Sequence, residues 1–347
     1  MAASLTGPKR ASSKQIFINL LTHSGLDRVA RMFFPPIIPV FLLHRFEKPG
    51  VNVSGHDPNF VDEALTRLKK KGFTFISLDE AVQLKVVELE RFRKLVAFTI
   101  DDGFADQIEI AAQIFSAHSC PLTCFVITDF LDGLSWPWDA KISWICNNVQ
   151  MPCMNITLGK HKLELTFQTD EDCRTSSRVL RTIIKASLPM QAETLVESVI
   201  AQAGVEVPRS APSGYEAIEW KRARELESPL IQYGAHSRTH QLLSSLNDEE
   251  SEEEIAGSRR RLLEEVLNPS NVFCYPVGRF VDFTEREKAL ARKHGFVGAV
   301  SAEPGYFVKG KTAQDLFSLP RFGFPSNMAD LLQCCTWVEY MKSRVFG

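Results

Sequence analysis

The feature that most constrains the fold of this 347-residue chain is the stretch at 95–104, LVAFTIDDGF. Its apolar part is rich in Val, Ile, Phe and Thr, a composition typical of a strand that is buried on both faces of a parallel sheet. The stretch runs directly into Asp101 and Asp102, and Gly103 permits a tight turn there. A helical pattern follows through Phe115. This order predicts two carboxylates at the carboxyl end of a strand, where parallel α/β proteins place their chemistry.

The same alternation of strand and helix extends along the rest of the chain. Apolar runs bounded by turn residues predict further strands at 38–44, 73–78, 122–128, 230–235, 272–275 and 296–300. Amphipathic segments between most of these runs predict helices. Because strands that alternate with helices pair in parallel, the sequence predicts an α/β fold with a parallel sheet.

Three segments lie outside the repeating pattern and divide the chain. Residues 1–36 predict an amphipathic N-terminal helix, which would pack on the domain or could make peripheral contact with a membrane. The central domain is expected over 37–323, interrupted at about 129–228 by a segment too long for a simple connection. That segment contains a cluster of Trp and predicts a helical insertion forming a lid or side wall. Residues 324–347 predict a C-terminal helix.

Composition argues against several classes of partner. The net charge is -2, and no basic stripe with interleaved aromatic residues indicates a nucleic-acid partner. The eight cysteines are scattered without a CxxC pair, and no export leader is evident, which predicts reduced thiols and a cytoplasmic location. The oligomeric state is not indicated by any sequence feature.

Two histidines mark a second polar strand end. His236 and His240 lie four residues apart after the strand predicted at 230–235, so both could reach one ion. Parallel strands end at one rim, and Asp102 could therefore join them. One carboxylate and two imidazoles suit Zn²⁺ or another divalent ion, which lowers the pKa of a bound water and polarises a carbonyl. Asp101 would remain free to act as a base.

Three motifs in this order resemble those of the polysaccharide deacetylase family, the NodB-homology group or carbohydrate esterase family 4. The segments at 99–103 (TIDDG), 236–240 (HSRTH) and 275–279 (YPVGR) are similar to its first, second and third motifs. The resemblance covers about 37–128 and 215–323. It implies a distorted (β/α)7 barrel of the NodB type, here with a helical, Trp-containing insertion, and metal-dependent removal of an acetyl group from a sugar.

The resemblance also implies roles for individual residues. Asp101 would be the general base, and Asp102, His236 and His240 would hold the metal, with Zn²⁺ expected and Co²⁺, Ni²⁺ or Mn²⁺ as alternatives. The third motif implies a groove that contacts the substrate. The candidate substrate contacts, including two from the Trp cluster of the insertion, are Tyr275, Pro276, Gly278, Arg279, Arg321, Trp138 and Asp139.

The sequence departs from the family pattern at two places. Cys274 and Tyr275 stand where the family has Arg-Pro, so the arginine that orients the base is missing there, and Arg321 in a Leu-Pro-Arg segment is a candidate substitute. The late Leu-x-His motif is also absent, since the last histidine is His294. His44, in a Leu-His-Arg context, resembles the early histidine of a bacterial exopolysaccharide and surface-polysaccharide branch and is the candidate general acid.

These observations predict a hydrolase acting on amide bonds. The expected reaction is removal of an acetyl group from an N-acetylated sugar or glycolipid during glycan or glycolipid biosynthesis. One alternative is an amidohydrolase acting on a small non-sugar amide. Another is a catalytically silent carbohydrate-binding homologue, which the altered third motif and the missing late histidine would suit.

Overall fold

The computed structural model of the protein describes residues 33, 35–47, 55–84, 94–187, 192–308 and 315–345. The described strands are β1 (Ile37–Leu43), β2 (Phe73–Phe75), β3 (Lys94–Ile100), β4 (Leu122–Val126), β5 (Cys153–Leu158), β6 (His161–Thr166), β7 (Ile231–Ala235), β8 (Val272–Cys274), β9 (Gly298–Val300), β10 (Tyr306–Val308) and β11 (Phe322–Gly323). The described α-helices are α1 (Pro58–Lys70), α2 (Leu78–Gln83), α3 (Ala105–Ala117), α4 (Thr128–Leu131), α5 (Trp138–Asn148), α6 (Asp170–Ala186), α7 (Ala192–Ala203), α8 (Trp220–Leu226), α9 (Asp248–Glu265), α10 (Glu285–Lys293), α11 (Met328–Cys334) and α12 (Trp337–Val345). A 3₁₀ turn spans Leu243–Ser245.

Parallel strands form the centre of the molecule, which confirms the predicted α/β class. β3 pairs in parallel with β1, β2 and β4, and β4 pairs in parallel with β7. On its other side β1 pairs in parallel with β11 and antiparallel with β10. The antiparallel β10 was not predicted, because a strand of three residues carries too little pattern to be recognised.

The strands form a distorted barrel whose ladders are interrupted. β8 and β9 form a parallel pair of their own, and the backbone N–H of Ser270 joins them to β7 through the carbonyl of Tyr233. On the opposite side, Leu319 forms a bridge to Val300, and β11 follows directly to pair with β1. The described strands therefore follow one another in barrel order, but the ladders do not close into a continuous barrel.

Alternate residues of the central strands enter two different cores. Phe41 and Phe98 pack with the outer helices, whereas Val40 and Ala97 point into the barrel with Phe307. Every residue of β1 is buried. Burial on both faces explains why these strands appear in the sequence as continuous apolar runs.

The insertion between β4 and β7 has a hydrophobic core of its own. Side chains from α5, α6 and α7 pack there with the hairpin formed by β5 and β6. The insertion was predicted to be helical, and the hairpin is an addition to that prediction. Its alternating burial and its turn at Gly159 are typical of a half-exposed hairpin.

The predictions for the two ends of the chain have different outcomes. The helix predicted in residues 1–36 lies outside the described part of the chain. At the other end, α11 begins after the Asn327 cap, and the single predicted helix is divided into α11 and α12. Within the described ranges, no helix combines the length and the apolar character that a bilayer crossing requires.

Candidate active site

The polar residues singled out in the sequence meet at the carboxyl ends of the barrel strands. Leu43 lies opposite Ile100 in the β1–β3 ladder, so His44 and Asp101 are neighbours at adjacent strand ends. The N–H of Asp101 donates to the carbonyl of Leu43 over 3.2 Å. In the β4–β7 ladder Val126 lies opposite Ala235, which places His236 at the same rim. Strand register therefore brings together residues that are distant in the sequence.

Asp102, His236 and His240 form a compact set of potential metal ligands. Oδ1 of Asp102 lies 3.7 Å from Nε2 of His236 and 3.8 Å from Nε2 of His240. These separations are too long for hydrogen bonds. They are close to the roughly 3.4 Å expected between ligand atoms that each lie about 2.1 Å from a tetrahedral Zn²⁺. All three side chains are buried, and the donor set fits a divalent cation.

The two imidazoles are in the chemical state that binds a metal. Nδ1 of His236 lies 2.9 Å from the carbonyl of Cys274, so it carries the proton and leaves the Nε2 lone pair directed towards Asp102. Burial lowers the pKa of His236, and burial together with the nearby His236 lowers the pKa of His240 to about 3. Both rings are therefore neutral at physiological pH.

The surroundings of Asp102 favour a bound cation. Burial raises the pKa of Asp102 well above its ordinary value, and the nearby carboxylates of Asp139 and Asp101 raise it further. A divalent cation would offset this concentration of negative charge. The electrostatics thus agree with the ligand geometry.

Backbone strain is concentrated at these strand ends. Asp102, Ser237, His240 and Val277 have φ angles of 89°, 61°, 63° and 59°, in the left-handed region that favours glycine. In the described chain, Ser119 is the only other non-glycine residue with a positive φ. Such conformations cost about 1–3 kcal/mol each and cluster at functional sites, as they do here.

Asp101 is paired with Arg321 and is thereby separated from the ligand set. Nη1 and Nη2 of Arg321 donate to the two carboxylate oxygens over 2.9 and 2.8 Å, and both side chains are buried. Nε of Arg321 donates to the carbonyl of Ser301 over 2.9 Å. Burial alone would raise the pKa of Asp101, but the guanidinium reverses this effect and lowers the pKa to about 2. Arg321 thus lies where the sequence suggested a substitute for the missing arginine.

Cys274 occupies the space beside this ion pair. Its Sγ lies 3.4 Å from Oδ2 of Asp101 and 3.2 Å from Nη2 of Arg321. Asp101, His236 and Cys274 could in principle form a second ligand set. However, burial raises the pKa of the Cys274 thiol well above its ordinary value, and Arg321 already binds both oxygens of Asp101. The set containing Asp102 is therefore the better candidate.

His44 has a side chain that is open to solvent at the rim of the site. Although the residue is exposed, desolvation by the neighbouring protein atoms lowers the pKa of His44. The neighbouring Asp101 carboxylate opposes this effect, and the Arg321 guanidinium adds to it. His44 is therefore a neutral, accessible imidazole next to the candidate base.

Several predicted substrate contacts are covered by other parts of the protein. Trp138 is fully buried, and Tyr275 stacks on Phe283 with ring centroids 3.9 Å apart. Arg279 is held by Asp282 and donates to the carbonyl of Lys185 over 2.6 Å. Trp138 and Tyr275 therefore offer no free ring face to a sugar in this structure, which corrects the prediction for these two residues. Arg279 keeps 36% of its side chain exposed, and its contact with substrate stays a prediction.

The remaining predicted contacts shape the rim or lie at its edge. Pro276 and Gly278 are buried in the turn after β8. Gly278 has a φ of 75°, and a Cβ there would come within 2.8 Å of the backbone nitrogen of Ala302. Asp139 is half-buried at the start of α5, and the Coulomb effect of His240 helps to lower the pKa of Asp139. Arg321, also among these candidates, is fully buried and contacts Asp101 instead of solvent.

Two further residues lie near the site, and neither of them was predicted from the sequence to have a place there. Lys185, near the end of α6, is half-buried, and desolvation lowers its pKa while Asp139 and Asp102 oppose that change. Val277 contributes a strained backbone that packs against the insertion core. The sequence carries no signal for Lys185, because only folding of the insertion brings it to the rim.

Comparison with protein families agrees with the fold and the motifs. Residues 157–299 match the family model described as polysaccharide deacetylase. The match spans less than half of the chain and includes His236, His240 and the third motif, but it begins after Asp101 and Asp102. Comparison of the sequence with curated proteins gave no match.

Solved deacetylase structures share the fold. The deacetylase PplD of Streptococcus pyogenes, solved in complex with acetate, has a TM-score of 0.56 at 17% identity, covering 87% of this chain and 99% of that one. IcaB from Ammonifex degensii has a TM-score of 0.52 at 14% identity, covering 88% and 98%. A polysaccharide deacetylase from Bacillus cereus has a TM-score of 0.52 at 14% identity, covering 87% and 69%. At such identities the likeness shows the shared architecture.

The family match and the fold together define the class of protein. Over residues 157–299 the chain is similar to the polysaccharide deacetylase (NodB) class, whose members are hydrolases that act on amide bonds. The predicted resemblance to this family, the fold class and the enzyme class are thereby confirmed.

Proposed function

We propose that the chain is a metal-dependent deacetylase that removes the acetyl group from an N-acetylated sugar in glycan or glycolipid biosynthesis. The observation that carries this proposal is the separation of two adjacent carboxylates into different environments. Asp101 binds a buried guanidinium, whereas Asp102 faces two neutral imidazoles. Pairs of acidic groups with divergent environments are typical of sites that divide acid–base and metal-binding roles.

The cation-binding part of the proposal rests on three residues. Asp102, His236 and His240 would hold the ion, with Zn²⁺ expected and Co²⁺, Ni²⁺ or Mn²⁺ as alternatives. A divalent cation in such a site supplies Lewis-acid chemistry, because it polarises a carbonyl and makes water more acidic.

Asp101 would accept the proton of the attacking water. The bidentate contact with Arg321 keeps the Asp101 carboxylate ionised and fixes its orientation. Because the carboxylate is held by a rigid guanidinium, little reorganisation is needed when the proton is transferred. This assigns Arg321 the positioning role of the arginine that the third motif lacks.

A backbone N–H would stabilise the oxyanion that develops on the acetyl oxygen. The N–H of Tyr275 is unsuitable, since it donates to the carbonyl of Val300 over 3.2 Å, and Pro276 has no N–H. The next donor is the N–H of Val277, which has a φ of 59° and no acceptor among the described residues. We infer that Val277 supplies this donor.

His44, which is neutral at rest and open to water, would take up a proton from solvent and deliver it to the departing nitrogen. We expect His44→Gln to reduce amide hydrolysis by about 100-fold, in the range found for general acids. An activated aryl acetate has a leaving group that needs no proton, so its hydrolysis should fall much less. The measurement is kcat on an N-acetylated sugar and on an aryl ester, with cation affinity determined in parallel. Equal losses on both substrates, or loss of the cation, would remove His44 from this role.

The protein should require its cation for both activity and full stability. Chelation is expected to abolish acetate release, and added Zn²⁺ should restore it. A ligand present at about 1,000 times its dissociation constant stabilises the folded state by about 4 kcal/mol, so unfolding should move to a higher temperature with Zn²⁺. Thermal unfolding of wild type and of Asp102→Asn with and without Zn²⁺ tests this, since the variant should show no shift. An equal shift in both proteins would place the cation elsewhere.

The deacetylase proposal itself is tested by incubating the Zn²⁺-loaded protein with acetylated amino-sugar oligomers, a glycolipid-linked amino sugar and small cyclic amides. We expect acetate release and a mass loss of one acetyl group from the sugars. Release of product only from the cyclic amides would favour an amidohydrolase. Sugar binding without acetate release would indicate a silent homologue.

A further inference from the structure

We propose that Trp138, which belongs to the insertion, is a positioning residue for the metal ligand His240. The inference rests on the proposed cation site, and it assigns the insertion a part in building that site. It concerns the backbone and ring orientation of one ligand. Trp138 itself would contact neither the cation nor the substrate.

The contact between the two residues is direct and shielded from water. Nε1 of Trp138 donates to the backbone carbonyl of His240 over 3.2 Å, across 102 positions of the chain. Trp138 is fully buried, and its ring belongs to the insertion core together with Ile142 and Leu180. A hydrogen bond from a ring packed in this way has a fixed direction, and its loss leaves a buried carbonyl without that donor.

His240 is the ligand that most needs such support. Nδ1 of His236 has a carbonyl partner, whereas Nδ1 of His240 is buried and has no partner among the described residues. The orientation of His240 is therefore set through its backbone, which has a strained φ of 63°. Its N–H donates to Oγ of Ser237 over 3.0 Å, and Trp138 binds the carbonyl on the other side.

A helix of the barrel domain binds the loop before His240, whereas the carbonyl of His240 is bound by the insertion. Glu254 on α9 accepts the backbone N–H groups of Arg238 and Thr239, each over 2.9 Å. No corresponding barrel contact binds the His240 carbonyl among the described residues. The insertion therefore supplies the contact to the His240 carbonyl, whereas the barrel holds only the residues before it.

Contacts elsewhere show that the insertion is seated against the same rim. Arg279 donates to the carbonyl of Lys185 at the end of α6, and Val277 packs on the insertion core. Three separate connections therefore join the insertion to the loops after β7 and β8. This arrangement makes the shape of the cation site depend on the packing of the insertion.

The test compares two Trp→Phe variants of the full chain. Trp138→Phe removes the donor to His240 and keeps most of the aromatic bulk. Trp136→Phe is the matched control, because Nε1 of the equally buried Trp136 donates to the carbonyl of Pro208 over 3.1 Å, away from the ligands. Zn²⁺ affinity is measured by competition with a chelator, and the Co²⁺-loaded proteins are compared by absorption spectroscopy.

We expect Trp138→Phe to bind Zn²⁺ about tenfold more weakly and to shift the Co²⁺ spectrum. This is the lower end of the effect of changing a residue that supports a metal ligand. Trp136→Phe should bind like wild type. Should Trp138→Phe fail to fold, replacement of Trp138 by benzothienylalanine removes the N–H and retains the ring shape. Unchanged affinity and spectrum at position 138, or equal changes in both variants, would overturn the inference. Absence of Zn²⁺ binding by wild type would overturn it together with the proposed cation site, whereas binding without acetate release would affect only the proposed reaction.

Discussion

Replacement of Asp101 by Asn is expected to reduce acetate release by about 1,000-fold while cation binding persists. Asn has nearly the same shape, but it cannot accept the proton of the attacking water, and general bases contribute about 10²–10⁴-fold to such rates. The proposed ligands are Asp102, His236 and His240, and Asp101 is separated from them by its pairing with Arg321. The measurement is kcat on an N-acetylated sugar together with Zn²⁺ affinity.

The control must account for the buried arginine that the substitution leaves behind. Asp106→Asn is matched in this respect, because Oδ2 of Asp106 pairs with Nη2 of Arg45 over 2.8 Å and both side chains are largely buried. Both variants lose a buried carboxylate–guanidinium pair, but only Asp101→Asn loses the candidate base. If the two variants lose similar activity, the effect arises from stability and Asp101 is not the base. Loss of Zn²⁺ by Asp101→Asn would instead make this carboxylate a ligand.

Much of the barrel and the meeting of the candidate ligands could be predicted because both follow from local sequence patterns. Buried parallel strands are continuous apolar runs, and the residues that end them must lie at a common rim. Asp101, Asp102 and His236 follow such runs directly. The ladders between β1 and β3 and between β4 and β7 then bring these ends together.

The substrate contacts could not be predicted in the same way, because exposure depends on distant parts of the chain. Trp138 was a candidate substrate contact, yet the folded insertion covers it and directs its N–H to His240. Tyr275 is covered by Phe283, which lies on the loop that precedes α10. Neither covering contact leaves a periodic signal in the sequence.

The pairing of Asp101 with Arg321 could be predicted in part. The Leu-Pro-Arg context suggested Arg321 as a substitute, but the sequence could not show that it would reach Asp101 across the barrel. The short side chain of Cys274 lies against both charged groups, in the position where the family has an arginine. A longer side chain there would compete with Arg321 for the same space. The substitution at Cys274 and its compensation by Arg321 can be recognised only in the three-dimensional structure, where the two side chains are in contact.

Arg321→Met is expected to lower the free energy of unfolding by about 3–5 kcal/mol, the typical cost of removing one partner of a buried ion pair. The substitution leaves the buried Asp101 carboxylate without its guanidinium and removes the donors to Thr99 and Ser301. Urea unfolding of the cation-free proteins measures the loss without a contribution from metal binding. Activity should also fall, because the base is no longer oriented.

A double variant distinguishes loss of the ion pair from simple disruption of packing. In Asp101→Leu/Arg321→Met both charges are replaced by apolar groups, so no buried charge remains unpaired, and such replacements are often close to neutral. We therefore expect the double variant to be more stable than Arg321→Met, by up to about 3 kcal/mol of coupling, and to release no acetate. Additive losses from the two substitutions would show that the two side chains do not act as a pair. Recovered activity in the double variant would show that Asp101 is dispensable for the reaction.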